Sequence, residues 1–224
     1  FSSADGPLGD LTISERNFLG RGQFVSATVT ISGDTQQARL LFEEPRLLDR
    51  DLTGGFDIGW LRDDRTDYSS YKETRLQFLP YLEFPVGEEQ RLQTRLRLSQ
   101  DEIRDVLRYA SPAIKADEGD EFYMGVGATW TLDERDDPVE PAGGYIVELS
   151  EDVTAMGSST VFSRTVVRAK AYQGFFDDEV VASIEAEAGA LFSAGDGLRV
   201  TDRFFLGGDS FRGFGTAGIG PRDD

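Results

Sequence analysis

The chain has 224 residues, 41 Asp and Glu against 23 Lys and Arg, a formal net charge of −18, and neither Cys nor His. The two missing residue types exclude a disulfide framework, Cys- or His-ligated metal sites, thiol nucleophiles and the imidazole-based Ser-His and Cys-His relays. The acidic balance argues against nucleic acid as a partner, because phosphate binding draws on surplus Lys and Arg.

An apolar share of 39% is low for a packed soluble domain, but 11% aromatic residues is high for a disordered one. The chain opens at Phe1 with no basic n-region or apolar h-region, so a secretory signal is expected to have been removed or to lie outside this fragment. There is no apolar run long enough for a transmembrane helix.

Period-2 alternation predicts about ten strands, at 8–17, 23–32, 38–48, 52–62, 71–85, 90–100, 121–133, 144–154, 161–175 and 180–194. Leu76, Phe78, Leu82 and Phe84 alternate with Arg75, Gln77, Tyr81 and Glu83. Leu92, Leu96 and Leu98 alternate with Arg91, Arg95 and Arg97. Met124, Val126, Ala128 and Trp130 alternate with Gly or Thr, and Ile184, Ala186 and Ala188 with Glu185, Glu187 and Gly189. Turn signals separate the strands, among them Gly20-Arg21-Gly22, Ser32-Gly33-Asp34 and Pro141-Ala142-Gly143-Gly144. One stretch departs from the pattern: Ile103, Val106 and Leu107 fall at i, i+3 and i+4, which predicts a short amphipathic helix over 101–109, ended by Ser111-Pro112.

Strands this long match the roughly 9–11 residues that a tilted strand needs to cross a bilayer. A charged face on one strand fits a soluble β-sandwich equally well. Repetition over ten strands favours an outer-membrane barrel, with the apolar parity toward lipid and the charged parity toward a wet lumen.

The acidic groups Asp63-Asp64-Arg65-Thr66-Asp67 and Asp133-Glu134-Arg135-Asp136-Asp137 lack calcium-loop spacing and read as solvated connections. Glu43-Glu44 and Glu185 with Glu187 are carboxylate pairs with no positioned partner, so acid–base chemistry is not favoured. The run Phe204-Phe205-Leu206-Gly207-Gly208-Asp209-Ser210-Phe211-Arg212-Gly213-Phe214-Gly215-Thr216-Ala217-Gly218-Ile219-Gly220-Pro221-Arg222 is Gly-rich yet keeps four Phe around Arg212. It reads as a long loop folded back onto the protein, with Arg212 as its charged anchor, since a guanidinium can meet a carboxylate with two hydrogen bonds and stack on rings.

Phe211-Arg212-Gly213-Phe214 resembles the (V/I)RGF motif of the BamA family of outer-membrane assembly factors, in the POTRA-barrel superfamily. Its flanks match as well, with Gly207 and Gly208 before it and Ile219, Gly220 and Pro221 after it. Glu15-Arg16-Asn17-Phe18-Leu19-Gly20-Arg21-Gly22-Gln23 resembles the family's first periplasmic turn, and Asp133 to Pro138 with Gly143-Gly144-Tyr145 resembles its D-x-R-D-x-P…G-Y segment. The motif departs only at Phe211, where Val or Ile is usual.

The resemblance implies an all-β fold: residues 1–224 as part of an antiparallel transmembrane β-barrel, about ten strands of an expected sixteen. The part would run from the end of strand 1 through loop 6, the Gly-rich loop inserted in the lumen, with POTRA domains and strands 12–16 absent from this chain. It implies assembly and insertion of β-barrel proteins into the bacterial outer membrane, with no catalytic residue, cofactor or metal. The expected partners are nascent barrel substrates, assembly-complex lipoproteins, periplasmic chaperones and the lipid bilayer. The alternatives are a TamA-like or two-partner secretion transporter of the same superfamily, and a passive porin.

Overall fold

The computed structural model describes residues 8–157, 160–195, 197–207 and 219. It has ten strands: β1 (Gly9–Phe18), β2 (Gln23–Ile31), β3 (Thr35–Glu44), β4 (Thr53–Asp64), β5 (Lys72–Gly87), β6 (Gln90–Arg104), β7 (Gly119–Asp133), β8 (Gly143–Met156), β9 (Thr160–Phe175) and β10 (Val180–Ala194). They form one antiparallel sheet in sequence order, so each strand pairs with its chain neighbours. Among the described residues β1 pairs only with β2 and β10 only with β9, and the sheet is an open wall. Every predicted strand is present, with ends that differ by a few residues.

The register explains why the alternation is so regular. One ladder of paired positions crosses all ten strands: Ile13, Ala27, Leu40, Ile58, Phe78, Leu98, Met124, Ala155, Val161 and Ala194. All are apolar, and a slip of one residue would bring the opposite parity into the row, including Thr12, Ser26, Arg39, Asp57, Gln77, Arg97 and Thr154. Aromatic rings collect on this face near the turn end: Phe42 stacks on Phe56 at 5.4 Å, and Trp130 Nε1 donates to Gln90 Oε1 at 3.1 Å. Such rings mark the interfacial girdle of a membrane barrel. Glu151 breaks the apolar face midway along β8, and its carboxylate accepts a hydrogen bond from Thr165 on β9.

The opposite face carries the charges. It is concave, because the segment that follows β10 reaches back to touch β6 and the start of β7.

The helix predicted over 101–109 does not form. β6 continues through Arg104, pairing Asp101 with Arg75 and Ile103 with Glu73 on one side and Gly119 on the other. Ile103 is fully buried on the concave face. Two neighbouring ladders outweigh a weak local helical pattern. The chain leaves the sheet at Asp105, where φ is +55°. Ser111-Pro112 opens a helix instead of closing one: α2 (Pro112–Ala116) has Pro at its first turn and the Ser111 side chain on Ile114 N at 3.4 Å. The other helix, α1 (Thr66–Ser69), is a single turn between β4 and β5.

Candidate functional site on the concave face

Cross-strand ion pairs line the concave wall. Arg39 meets Asp57 at 2.5 Å, Arg91 meets Glu83 at 2.5 Å, and Arg168 meets Glu187 at 2.7 Å. Glu185 and Glu187, considered from sequence as a carboxylate pair, each face a cation on β9: Lys170 at 3.7 Å and Arg168. Toward the loop end the pairs fuse into a network. Glu73, almost fully buried, lies between Arg65 at 3.1 Å and Arg75 at 2.7 Å, and Arg75 also reaches Asp101 at 2.8 Å.

Two hydrogen-bonded contacts among the described residues pass over an intervening strand, each with a glycine beneath it. Arg95 on β6 holds Asp152 on β8 with two hydrogen bonds, at 2.9 and 2.5 Å, across Gly127 on β7. Tyr81 on β5 donates to Glu43 on β3 at 2.8 Å across Gly55 on β4. A Cβ at Gly127 would collide with the Asp152 carboxylate, and one at Gly55 would lie 2.5 Å from the Tyr81 ring.

The segment after β10 is the most tightly held feature of this face. Arg199 is buried; Nη1 donates to Asp101 O at 3.3 Å, and Nη2 to Gly119 O at 2.8 Å and to Asp117 O. Val200 N donates to Asp117 Oδ2 at 2.6 Å. Asp202 closes the turn by accepting Arg199 N at 3.1 Å and Tyr123 OH at 3.3 Å. Phe204 rests on Gly189, where a Cβ would be 2.5 Å from the ring, and the Arg164 guanidinium lies over the ring at 4.4 Å from its centroid. Among the described residues the anchor of this segment is thus Arg199, upstream of the Arg212 singled out from sequence.

Leu206 pairs with Ile219 as an isolated antiparallel bridge, Ile219 N donating to Leu206 O at 3.1 Å. The two flanks of the Gly-rich run therefore meet, and Gly207 follows with φ +125°. Phe211, Arg212, Gly213, Phe214, Gly208, Gly220 and Pro221 lie outside the described residues.

The two upstream motifs are self-bonded turns at the opposite end of the wall. In the β1–β2 turn, Asn17 Oδ1 accepts Gly22 N at 2.8 Å and Asn17 O accepts Gly20 N at 2.9 Å. In the β7–β8 turn, Arg135 lays both arms of its fork on Asp133 at 2.7 and 2.6 Å. Asp136 Oδ1 accepts Asp137 N at 2.9 Å and Ala142 N at 3.1 Å, while Asp137 Oδ1 accepts Val139 N at 2.7 Å and Glu140 N at 3.0 Å. Gly144, at φ +87°, passes so close to Glu134 O that no side chain fits.

Backbone N–H groups, Gly143 foremost for Asp136 and Glu140 foremost for Asp137, hold both carboxyls below the ordinary carboxylate range. A depressed folded-state pKa adds stability above the unfolded-state pKa and loses it as pH falls through the folded one. The turn is therefore expected to stay closed through the ordinary carboxylate range and to open only at more acid pH. NMR shifts of the Val139, Glu140 and Ala142 amides in an acid titration check this. Midpoints at the ordinary carboxylate value would contradict it.

A wall apolar outside and charged inside, with strands of 9 to 16 residues, is that of a transmembrane β-barrel of the outer-membrane type. The chain belongs to the Omp85 superfamily, whose domain model matches residues 17–224, and it is a protein of the bacterial outer membrane. It is 26% identical over 224 residues to the outer membrane protein assembly factor BamA of Neorickettsia risticii, covering 100% of this chain and 30% of that protein. It is 31% identical over 216 residues to the outer membrane protein assembly factor BamA of Nitratidesulfovibrio vulgaris, covering 95% of this chain and 27% of that protein. It superposes with a TM-score of 0.77, at 19% identity, on the crystal structure of BamA from Haemophilus ducreyi lacking POTRA domains 1–3, covering 99% of this chain and 45% of that one. The chain thus spans under a third of the length of these two curated relatives. The resemblance read from the three motifs is borne out.

Proposed function

We propose that this chain is barrel wall from an outer-membrane protein assembly factor, acting in the folding and insertion of other β-barrel proteins. The observation that carries the reading is the similarity, along nearly the whole chain, to two relatives that bear that name. The physics is compatible with it. A barrel whose wall opens sideways exposes unpaired strand edges, and an edge can template an incoming strand through main-chain hydrogen bonds. Local thinning of the bilayer lowers the cost of passing polar groups. No covalent step is involved, so the machine needs neither catalytic residue nor cofactor. Its partners are nascent barrel substrates, assembly lipoproteins and periplasmic chaperones.

In this reading Arg212 anchors the Gly-rich loop inside the lumen. Arg212→Ala in the full-length protein is expected to lower the level of folded barrel proteins in the outer membrane and to expose residues 204–222 to protease. Normal levels with unchanged protection would sink the assigned role of Arg212. For the function itself, vesicles containing the full-length protein should accelerate folding of a urea-denatured barrel substrate. Folding no faster than in empty vesicles would overturn the proposal.

A further inference from the structure

Among the described residues, six side-chain nitrogen or oxygen atoms are buried without a hydrogen-bond partner: Asp57 Oδ1, Glu73 Oε2, Arg97 Nε, Glu102 Oε1, Arg164 Nε and Thr201 Oγ1. The three carboxylates each have an arginine in ion-pair contact. Among the described residues, Arg97, Arg164 and Thr201 have neither an ion pair nor a hydrogen bond through their side chains. These three residues line one cavity of about 310 Å³ on the concave face.

The other charged residues of the lining are already engaged. Arg75 is held by Glu73 and Asp101, Arg95 by Asp152, and Arg168 by Glu187. Asp202 accepts from Tyr123 and from the Arg199 backbone. Arg97 stands over the Tyr123 ring at 5.7 Å and Arg164 over Phe204 at 4.4 Å. A guanidinium over a ring face keeps its in-plane N–H donors for another partner. The cavity thus offers two cations without a contact ion pair and a hydroxyl, with the Asp152 and Asp202 carboxylates on the same lining, in a protein that carries −18 overall. Water would satisfy the hydroxyl but not the charge.

We propose that this cavity binds a phosphate group. The donors come from three elements, Arg97 from β6, Arg164 from β9 and Thr201 from the segment after β10. Three directions of approach suit a tetrahedral oxyanion, whereas a planar carboxylate is satisfied by a single guanidinium fork. A phosphate there ties the segment after β10 to the wall, so binding and segment docking are thermodynamically linked.

The test uses the full-length protein. Inorganic phosphate is titrated calorimetrically at low ionic strength, with acetate as the planar control, and cleavage of residues 197–207 by protease is followed in parallel. One phosphate is expected to bind and to slow cleavage, with acetate at least about tenfold weaker. Arg97→Gln and Arg164→Gln should each weaken phosphate about tenfold or more. Where a Gln variant fails to fold, as judged by heat-modifiable gel mobility, Thr201→Val carries the same test with a smaller loss. A second arm embeds the protein in phosphatidylglycerol nanodiscs without free phosphate. Equal protection there names a lipid headgroup as the source, and protection only with added phosphate names the free ion. Failure to bind at millimolar phosphate, equal binding of acetate, or indifference to all three substitutions overturns the proposal.

Discussion

Arg199→Met is expected to release the segment after β10 from the concave face. The substitution keeps an unbranched side chain of similar length but removes the donors to Asp101, Asp117 and Gly119 carbonyls. A hydrogen bond from a charged donor is worth about 1.5–3 kcal/mol, and buried acceptors left empty add their own penalty. A loss of about 3 kcal/mol in docking is therefore expected, close to a hundredfold in the population of the released segment. Hydrogen exchange of the Val200 amide, which Asp117 accepts at 2.6 Å, reads it directly. The strands should keep their protection, because the wall closes its own ladders without this segment. Unchanged exchange at Val200 would remove Arg199 from its role as anchor.

The second large effect is on the other face. Ile58 sits in the apolar row between Leu40 and Phe78. Ile58→Arg should destabilise the protein in a bilayer by about 2–4 kcal/mol, the cost of a cation on the lipid face near the midplane. Gln37→Arg is the matched control, because Gln37 pairs with Thr30 and Leu61 on the concave face, where water reaches. Urea unfolding of the full-length protein in vesicles compares the two. Equal losses would mean that Ile58 does not face lipid.

Much of this was legible in the residues because a membrane wall writes its two environments in strict alternation. Val180 to Ala194 is predicted to the residue, since Ala and Ile alternate there with Glu. The failures share a cause, which is contact over distance. Ile103, Val106 and Leu107 carry a helical spacing, but β5 and β7 capture Ile103 into a ladder that no window of local sequence contains. Arg199 was missed for the same reason. It lies in a short unpatterned stretch, and its partners Asp101, Asp117 and Gly119 are some eighty to a hundred residues earlier. The pairing of Arg95 with Asp152 was equally hidden, although Gly127 at an inward position was a signal that something large crosses there. The motif resemblance located the Gly-rich run, whereas the contacts of Arg212 fall outside the described residues.

The contacts that pass over Gly55 and Gly127 have a mechanical consequence. Each acts as a rivet through three strands, joining β3 to β5 and β6 to β8, and resists shear between neighbours that ladder hydrogen bonds alone would allow. The first strands have no such fastening among the described residues: β1 and β2 are joined on the concave face by Thr12 with Thr28 and Asp10 with Thr30. Stiffness is therefore graded along the wall, and a lateral load on the sheet bends it at the β1–β2 margin before it bends the riveted middle.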